Sequence, residues 1–269
     1  MKTVDRMLIM DVDGVITDPK EKRITEPEIL DEIVKRLEKG EPVGLNTGRS
    51  LVWMIDRVIN PLLEKVKDKK TLKNFFASGE KGGTWITFDG NGEMQHHKDG
   101  SISVPESLQD KVRNLINSEF SESMFYDETK ETMISTEMKD GYPIEEYSNH
   151  QIILNEKLQK LVDEDSSGKP LKVDPTTIAT DIENKHVGKG FAVERMIEWL
   201  KNLGIEPQRF VTFGDSLSDI PMAEKLRSLN KKVELAFVGK SEIKKSFPFP
   251  IIRPKKFFGK GTLEVLRSL

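Results

Sequence analysis

The sequence contains no cysteine, few aromatic residues and no long hydrophobic run. The absence of cysteine excludes disulfide bonds and thiolate metal sites. No apolar stretch reaches the roughly 18 residues that a membrane-spanning helix needs, so none is predicted. The segment Met1-Lys-Thr-Val-Asp5 precedes the first apolar run directly, which leaves no room for a signal peptide. We therefore expect a cytoplasmic protein.

The net charge is also small, at −3 for 269 residues, but it is unevenly distributed. Residues 84–184 contain 9 Lys and Arg against 21 Asp and Glu, whereas the remainder is basic on balance. A mildly basic sequence with an acidic central segment is difficult to explain as one uniform domain. The sequence therefore predicts an inserted domain at 84–184 and a core domain formed by 1–83 and 185–269.

The first 80 residues alternate between apolar strands and amphipathic helices. Strands are predicted at 7–10, 42–46 and 74–77. One helix is expected to begin with Thr25 as its N-cap, and a second from about Ser50. This order of elements is typical of a parallel sheet with right-handed crossovers.

The pattern changes in the middle of the chain and then resumes. A hairpin is predicted around the turn Asp89-Gly-Asn-Gly92, followed by two helices and three short strands, which makes the insert an α+β domain. After Gly188 a helix and the strands 209–213 and 233–238 restore the first pattern. The predicted fold class is α/β, with a Rossmann-like parallel sheet, helices on both of its faces and an inserted α+β cap domain.

Two carboxylates, Asp11 and Asp13, follow the first strand and precede Gly14. Because side chains alternate along a strand, the two are expected to point the same way. Two anions so close repel unless a divalent cation lies between them or one of them carries a proton. Both conditions suit phosphoryl transfer, in which one carboxylate attacks phosphorus and the other transfers a proton. Capping of a turn by both aspartates is the alternative that these residues alone leave open.

Three further motifs share this structural context. Thr47-Gly48 and Gly214-Asp215 each follow a predicted strand, and Lys189 stands at a helix start. Ligands of open parallel sheets bind at the carboxyl ends of the strands, so we expect these groups to meet Asp11 there. Taken singly, Thr47 is also explained as a helix N-cap and Lys189 as a solvated surface lysine.

Together the four segments resemble the motifs of the haloacid dehalogenase superfamily of aspartate-nucleophile phosphatases. Segments 11–16 and 214–219 resemble the first and fourth motifs, and Thr47 and Lys189 the second and third. The place of the insert is similar to that in sucrose-phosphate, trehalose-phosphate and mannosyl-3-phosphoglycerate phosphatases and in phosphomannomutase. Many relatives have Asn where this chain has Ser218.

The resemblance implies a role for each acidic residue. Asp11 is expected to be the nucleophile and a metal ligand. Asp13 is expected to act as general acid and base, with its backbone carbonyl on the metal. Asp215 would complete the protein's share of a Mg2+ site, and Asp219 would orient the waters of that ion.

The resemblance also implies that Thr47, Gly48 and Lys189 hold the phosphoryl oxygens. For Arg49 two roles stay open, a contact with substrate and a structural ion pair. The glycine-rich stretch 79–83 looks like a phosphate cradle but lacks the strand-to-helix context, so it is predicted as the hinge into the insert.

The predicted function is a Mg2+-dependent phosphomonoester hydrolase acting on a sugar phosphate or a similar small-molecule phosphate ester. A phosphomutase with the same site and a non-catalytic phosphate-binding module are the alternatives. Lysines between Lys65 and Lys73 alternate with acidic residues, which indicates a solvated face and no nucleic-acid site. The acidic insert disfavours substrates with several phosphates.

Overall fold

The computed structural model describes residues 1–269, which form two compact units. The first unit comprises Met1–His97 and Gly188–Leu269, and the second comprises Lys98–Val187. The second unit is thus inserted into the first. Both of its boundaries differ from those expected from sequence, because residues 84–97 belong to the first unit and residues 185–187 to the second.

The chain contains twelve strands and eight α-helices. The strands are β1 (Lys2–Met10), β2 (Val43–Asn46), β3 (Phe75–Gly79), β4 (Thr84–Phe88), β5 (Met94–Lys98), β6 (Met124–Tyr126), β7 (Ile134–Met138), β8 (Leu171–Pro175), β9 (Ala179–Asn184), β10 (Ile205–Gly214), β11 (Val233–Phe237) and β12 (Ile251–Ile252). The helices are α1 (Glu28–Glu38), α2 (Leu51–Met54), α3 (Asn60–Lys65), α4 (Glu106–Leu115), α5 (Ile144–Asp163), α6 (Lys189–Asn202), α7 (Ile220–Ser228) and α8 (Phe258–Ser268). A π-helical turn at Ile55–Ile59 joins α2 to α3, so the helix expected from Ser50 is one interrupted helix.

The first unit is built on an eight-stranded sheet in the order β12-β11-β10-β1-β2-β3-β4-β5. The six strands from β12 to β3 run parallel, and β4 pairs antiparallel with β3. Both faces of this sheet are covered, because alternate residues of β1 enter two different cores. Leu8 and Met10 pack in one core with α1 and α8, and Met7 and Ile9 pack in the other with α6 and α7. The predicted α/β fold class is confirmed.

The second unit contains a separate antiparallel sheet in the order β6-β7-β9-β8. Ile134 and Ile182 point from this sheet into a core shared with Leu108 of α4 and with Tyr147 and Leu154 of α5. This is the α+β arrangement expected for the insert. No helix of either unit combines the length and apolar character needed to cross a membrane.

The strand order of the first unit determines where the candidate residues meet. Strands β10, β1 and β2 are neighbours and run parallel, so their carboxyl ends lie side by side. Asp11 follows β1, Thr47 follows β2 and Asp215 follows β10. The three residues therefore leave the sheet at the same edge.

Candidate active site

Asp11 lies at the centre of this edge. Its backbone N–H donates to the Phe213 carbonyl at 3.0 Å, which continues the pairing of β1 with β10. Its carboxylate is almost fully buried, and Oδ1 lies 2.7 Å from the Lys189 ammonium group. Burial raises the pKa of Asp11 well above its usual range, although the charge of Lys189 opposes that shift. A buried carboxylate without a water shell is well suited to be a nucleophile once it is ionised.

Lys189 connects two of the predicted site residues. Its ammonium group contacts Asp219 as well as Asp11. Burial alone would lower the pKa of Lys189, but the attraction of the two carboxylates outweighs burial and raises it. The lysine is therefore a fixed cation of the site, and the alternative that it is a solvated surface lysine is wrong.

Asn46 was not among the predicted residues, yet it positions Lys189. Its side-chain amide is fully buried and donates to the Lys189 carbonyl at 2.9 Å. The bond ties the end of β2 to the first residue of α6. The signal available in the sequence was a polar residue at the last position of an otherwise apolar strand.

Asp219 is fully engaged by groups of the protein. Its Oδ2 accepts hydrogen bonds from the backbone N–H groups of Asp215 and Ser216, at 2.9 and 3.0 Å, while Oδ1 contacts Lys189. The Ser218 hydroxyl lies 2.7 Å from that of Ser216. Asp219 thus holds the turn that presents Asp215.

At Asp215, by contrast, burial outweighs the attraction of Lys189. Burial and then the negative charge of Asp219 raise the pKa of Asp215 to about 6. Its carboxylate lies against the turn after β1, where a Cβ on Gly14 would be only 2.2 Å from Asp215 Oδ2. Gly14 also has a φ of +73°. The residue must be glycine for both reasons, and its small size allows the motifs of β1 and β10 to come together.

The acidic residues of this edge fit a divalent cation. Ligand oxygens of Asp11, Asp215 and Asp219 lie within 4.8 Å of one another. Three carboxylates and the single ammonium group of Lys189 leave an excess of negative charge, and carboxylate oxygen is the donor that Mg2+ prefers. Because Asp219 is occupied by protein donors, Asp11 and Asp215 are the side chains that would hold the ion.

The side chain of Asp13 is paired with Arg49. The guanidinium Nε and Nη2 lie 3.1 and 3.2 Å from the two carboxylate oxygens, in a bidentate geometry. Arg49 also lies over the Trp53 ring, 5.1 Å from its centroid. Of the two roles left open for Arg49, the structure shows an ion pair, and its partner is a candidate catalytic residue.

Thr47 is buried, and its side chain forms a hydrogen bond within its own loop. Its hydroxyl accepts a hydrogen bond from the Arg49 backbone N–H at 3.1 Å. The N-cap of α2 is Ser50, whose hydroxyl accepts from the Trp53 N–H. The alternative that Thr47 caps this helix is therefore wrong.

Comparison with known proteins gives a family. The family model of haloacid dehalogenase-like hydrolases matches residues 8–228. The fold is similar to the C-terminal domain of trehalose-6-phosphate phosphatase from Candida albicans, with a TM-score of 0.67 and 18% identity over 98% of this chain and 92% of that one. It is also similar to trehalose-6-phosphate phosphatase from Aspergillus fumigatus, with a TM-score of 0.57 and 14% identity over 98% and 93% of the two chains.

IMP-nucleotidase from Plasmodium falciparum shares the fold over a smaller part, with a TM-score of 0.53 and 14% identity over 80% of this chain and 55% of that one. No curated protein sequence matches the chain. The family match at residues 8–228 includes all four predicted motifs. The predicted family is confirmed. The chain belongs to the haloacid dehalogenase-like hydrolases.

Proposed function

We propose that the protein is a Mg2+-dependent phosphomonoester hydrolase that acts through an aspartyl-phosphate on Asp11. The observation that carries this proposal is the pairing of the buried Asp11 carboxylate with Lys189, with Asp13 two residues away and fixed by Arg49. This arrangement supplies a nucleophile, a cation for the phosphoryl oxygens and a second carboxyl group for proton transfer.

In the first step an Asp11 oxygen bonds to phosphorus while the bond from phosphorus to the ester oxygen breaks. Asp13, in its protonated form, gives its proton to the departing alcohol, and the carboxylate so formed is the state that pairs with Arg49. In the second step the Asp13 carboxylate takes a proton from water, whose oxygen attacks phosphorus and releases phosphate and Asp11. Lys189 and the Thr47–Gly48 loop hold the oxygens on which charge concentrates. When bound by Asp11, Asp215 and the Asp13 carbonyl, Mg2+ would supply further positive charge there.

We propose a sugar phosphate or a similar small polar phosphate as substrate. The similarity in fold to proteins named trehalose-6-phosphate phosphatases favours this class. The second unit is acidic, with 10 Lys and Arg against 19 Asp and Glu between 98 and 187. An acidic unit suits neutral hydroxyl groups better than additional phosphates. A cytoplasmic location remains part of this proposal.

A phosphate-release screen tests the proposal directly. The native protein is assayed with Mg2+ on a panel of sugar phosphates that also contains IMP, and an Asp11→Asn variant is the control. We expect release from at least one sugar phosphate by the native protein and none by the variant, since the amide is isosteric but does not attack phosphorus. Residual activity above about a tenth in the variant would contradict the covalent mechanism.

The same assay separates the two alternatives. A phosphomutase would transfer phosphate to added sugar faster than it releases phosphate to water. A binding module would bind phosphate esters and turn over none of them. Either result would replace the hydrolase proposal.

A further inference from the structure

The glycine-rich stretch 79–83 plays no part in the proposed mechanism. It was expected to be a hinge into the insert, but it lies between β3 and β4 inside the first unit. Three successive residues in it, Glu80, Lys81 and Gly82, have φ values of 49°, 55° and 102°. Residues with side chains adopt such angles only when their surroundings impose them. Backbone strain of this kind is concentrated at functional sites.

The backbone of Lys81 joins two phosphate-binding elements. Its N–H donates to the Thr47 carbonyl at 3.0 Å, and its carbonyl accepts from the Gly188 N–H at 3.0 Å. The N–H of Glu80 donates to the Arg49 carbonyl at 2.9 Å. The strained turn therefore fixes the loop that holds Thr47 relative to the helix start that holds Lys189.

Gly82 brings the same turn against α6. A Cβ on Gly82 would lie 2.8 Å from the Phe191 ring and 3.0 Å from the Ala192 nitrogen, and Arg195 Nε donates to the Gly82 carbonyl at 2.6 Å. These contacts and those of Lys81 all use backbone atoms of the turn. Glycine at position 81 would make the same backbone hydrogen bonds with less strain.

The side chain of Lys81 covers Gly48. Its γ and ε carbons lie 3.8 and 3.7 Å from the position that a Cβ on Gly48 would occupy. Lys81 is half-buried, so its charge is partly shielded from water. The ε carbon carries the ammonium group, which places a cation beside the Thr47–Gly48 loop. Such a cation strengthens the binding of a phosphoryl dianion.

On the basis of the function proposed above, we propose that Lys81 is a further phosphate-binding residue whose ammonium group contacts the phosphoryl oxygens of the substrate. The strained backbone holds the side chain over Gly48, and the strain is the cost of placing a cation there. Lys81 and Lys189 then contact the phosphoryl group from the loop after β3 and the start of α6.

Calorimetric binding of inorganic phosphate in the presence of Mg2+ tests this assignment. Lys81→Ala removes the side chain and keeps the strain, whereas Lys81→Gly removes both. We expect both variants to bind phosphate roughly 10- to 100-fold more weakly than the native protein. Lys81→Arg should stay within about 3-fold, since it keeps the charge. The exposed Lys201 provides a control of equal charge change, and Lys201→Ala should bind as the native protein does.

Thermal unfolding of the same variants separates the side chain from the backbone. Lys81→Gly should unfold at a higher temperature than Lys81→Ala, because glycine relieves the positive φ. If Lys81→Ala does not fold, the phosphate affinity of Lys81→Gly alone tests the assignment. Native-like phosphate affinity in Lys81→Gly would overturn the assignment, as would an absence of phosphate binding by the native protein. If the native protein binds phosphate but hydrolyses no monoester, the proposed function fails, and the affinities of the variants still decide the role of Lys81.

Discussion

At the scale of single residues, three aspartates of the site have different surroundings and therefore different roles. Asp11 is paired with Lys189, and Asp219 is bound by two backbone N–H groups and Lys189. At Asp215 burial and the charge of Asp219 outweigh the attraction of Lys189. Burial raises the pKa of Asp215 to about 6. The metal-free protein is thus destabilised by the ionisation of Asp215, and replacing Asp215 should show this.

The direction of the pH dependence of stability follows from the raised pKa of Asp215. The folded protein binds the Asp215 proton more tightly than the unfolded chain, so stability is lost as pH rises from the ordinary pKa of 3.8 through about 6. Asp215→Asn in excess chelator should therefore be more stable than the native protein at pH 7.5, by about 1 to 2 kcal/mol after allowance for the exposed part of the group. The difference should vanish at about pH 3, below the ordinary pKa of 3.8. Urea unfolding at both pH values measures it, and a variant less stable at pH 7.5 would contradict the account.

Asp219→Asn should have the opposite effect and lower the stability of the folded protein. The amide keeps one acceptor oxygen, so it cannot serve both Lys189 and the two backbone N–H groups of the 215–216 turn. Breaking this buried network should cost about 3 kcal/mol in metal-free unfolding experiments. If Asp219→Asn were as stable as the native protein, Asp219 would not hold the turn.

The metal itself gives a third prediction at this scale. Mg2+ should raise the unfolding temperature of the native protein, because it binds only the folded carboxylate cluster. Activity should vanish in excess chelator, and Ca2+ should support it poorly because Ca2+ prefers more ligands and a looser geometry. Asp215→Ala should abolish the Mg2+ shift. Full activity in chelator would show that the cluster has another role.

At the scale of elements, the site depends on the close approach of two turns, one after β1 and one after β10. A methyl group on Gly14 would overlap the Asp215 carboxylate and would require a positive φ for alanine. Gly14→Ala should therefore fold but lose at least about 10-fold in kcat/KM and in Mg2+ affinity. Gly100→Ala is the matched control, because nothing lies within 4 Å of its added carbon. Unchanged kinetics in Gly14→Ala would show that Asp215 tolerates displacement.

The elements also show what the sequence could predict. Apolar runs ending in polar residues identified β1, β2 and β10 and the edge where the site lies, since strand burial is a local pattern. The helix start was placed wrongly. Thr25 was expected to cap α1, but the helix begins at Glu28 with Pro27 as its N-cap. A proline at the start of a helix satisfied the geometry without a side-chain cap.

Two features of the segment from β3 to β5 were not visible in the sequence pattern. The strands around the turn at residues 89–92 were predicted as a hairpin of the insert, but β4 and β5 extend the sheet of the first unit. Strand β4 pairs with β3, which ends at Gly79, so the change to antiparallel pairing occurs within the first sheet and does not mark a new domain. The positive φ of Glu80 and Lys81 was also unpredictable, because their conformation is imposed by the carbonyls of Thr47 and Arg49.

At the scale of the whole molecule, charge is divided between the two units. The second unit is acidic, and the first is basic on balance. We expect a hexose monophosphate to be hydrolysed with a higher kcat/KM than the corresponding bisphosphate, because the net negative field of the chain, with a charge of −3, repels the more highly charged ester. The ratio of the two kcat/KM values should shrink as ionic strength rises, since salt screens that field. Steady-state assays at two salt concentrations measure it, and a preference for the bisphosphate would contradict the expectation.

The central claim is that Asp11 forms an aspartyl-phosphate that Asp13 then helps water to hydrolyse. The most direct measurement is a rapid-quench time course of phosphoenzyme and free phosphate with Mg2+, comparing the native protein with Asp13→Ala. With p-nitrophenyl phosphate the leaving group needs little protonation, so the variant should still complete the first step but lose the base for the second. We predict steady turnover by the native protein and a burst with accumulated phosphoenzyme in Asp13→Ala. No phosphoenzyme in either protein, while phosphate is released, would contradict the claim.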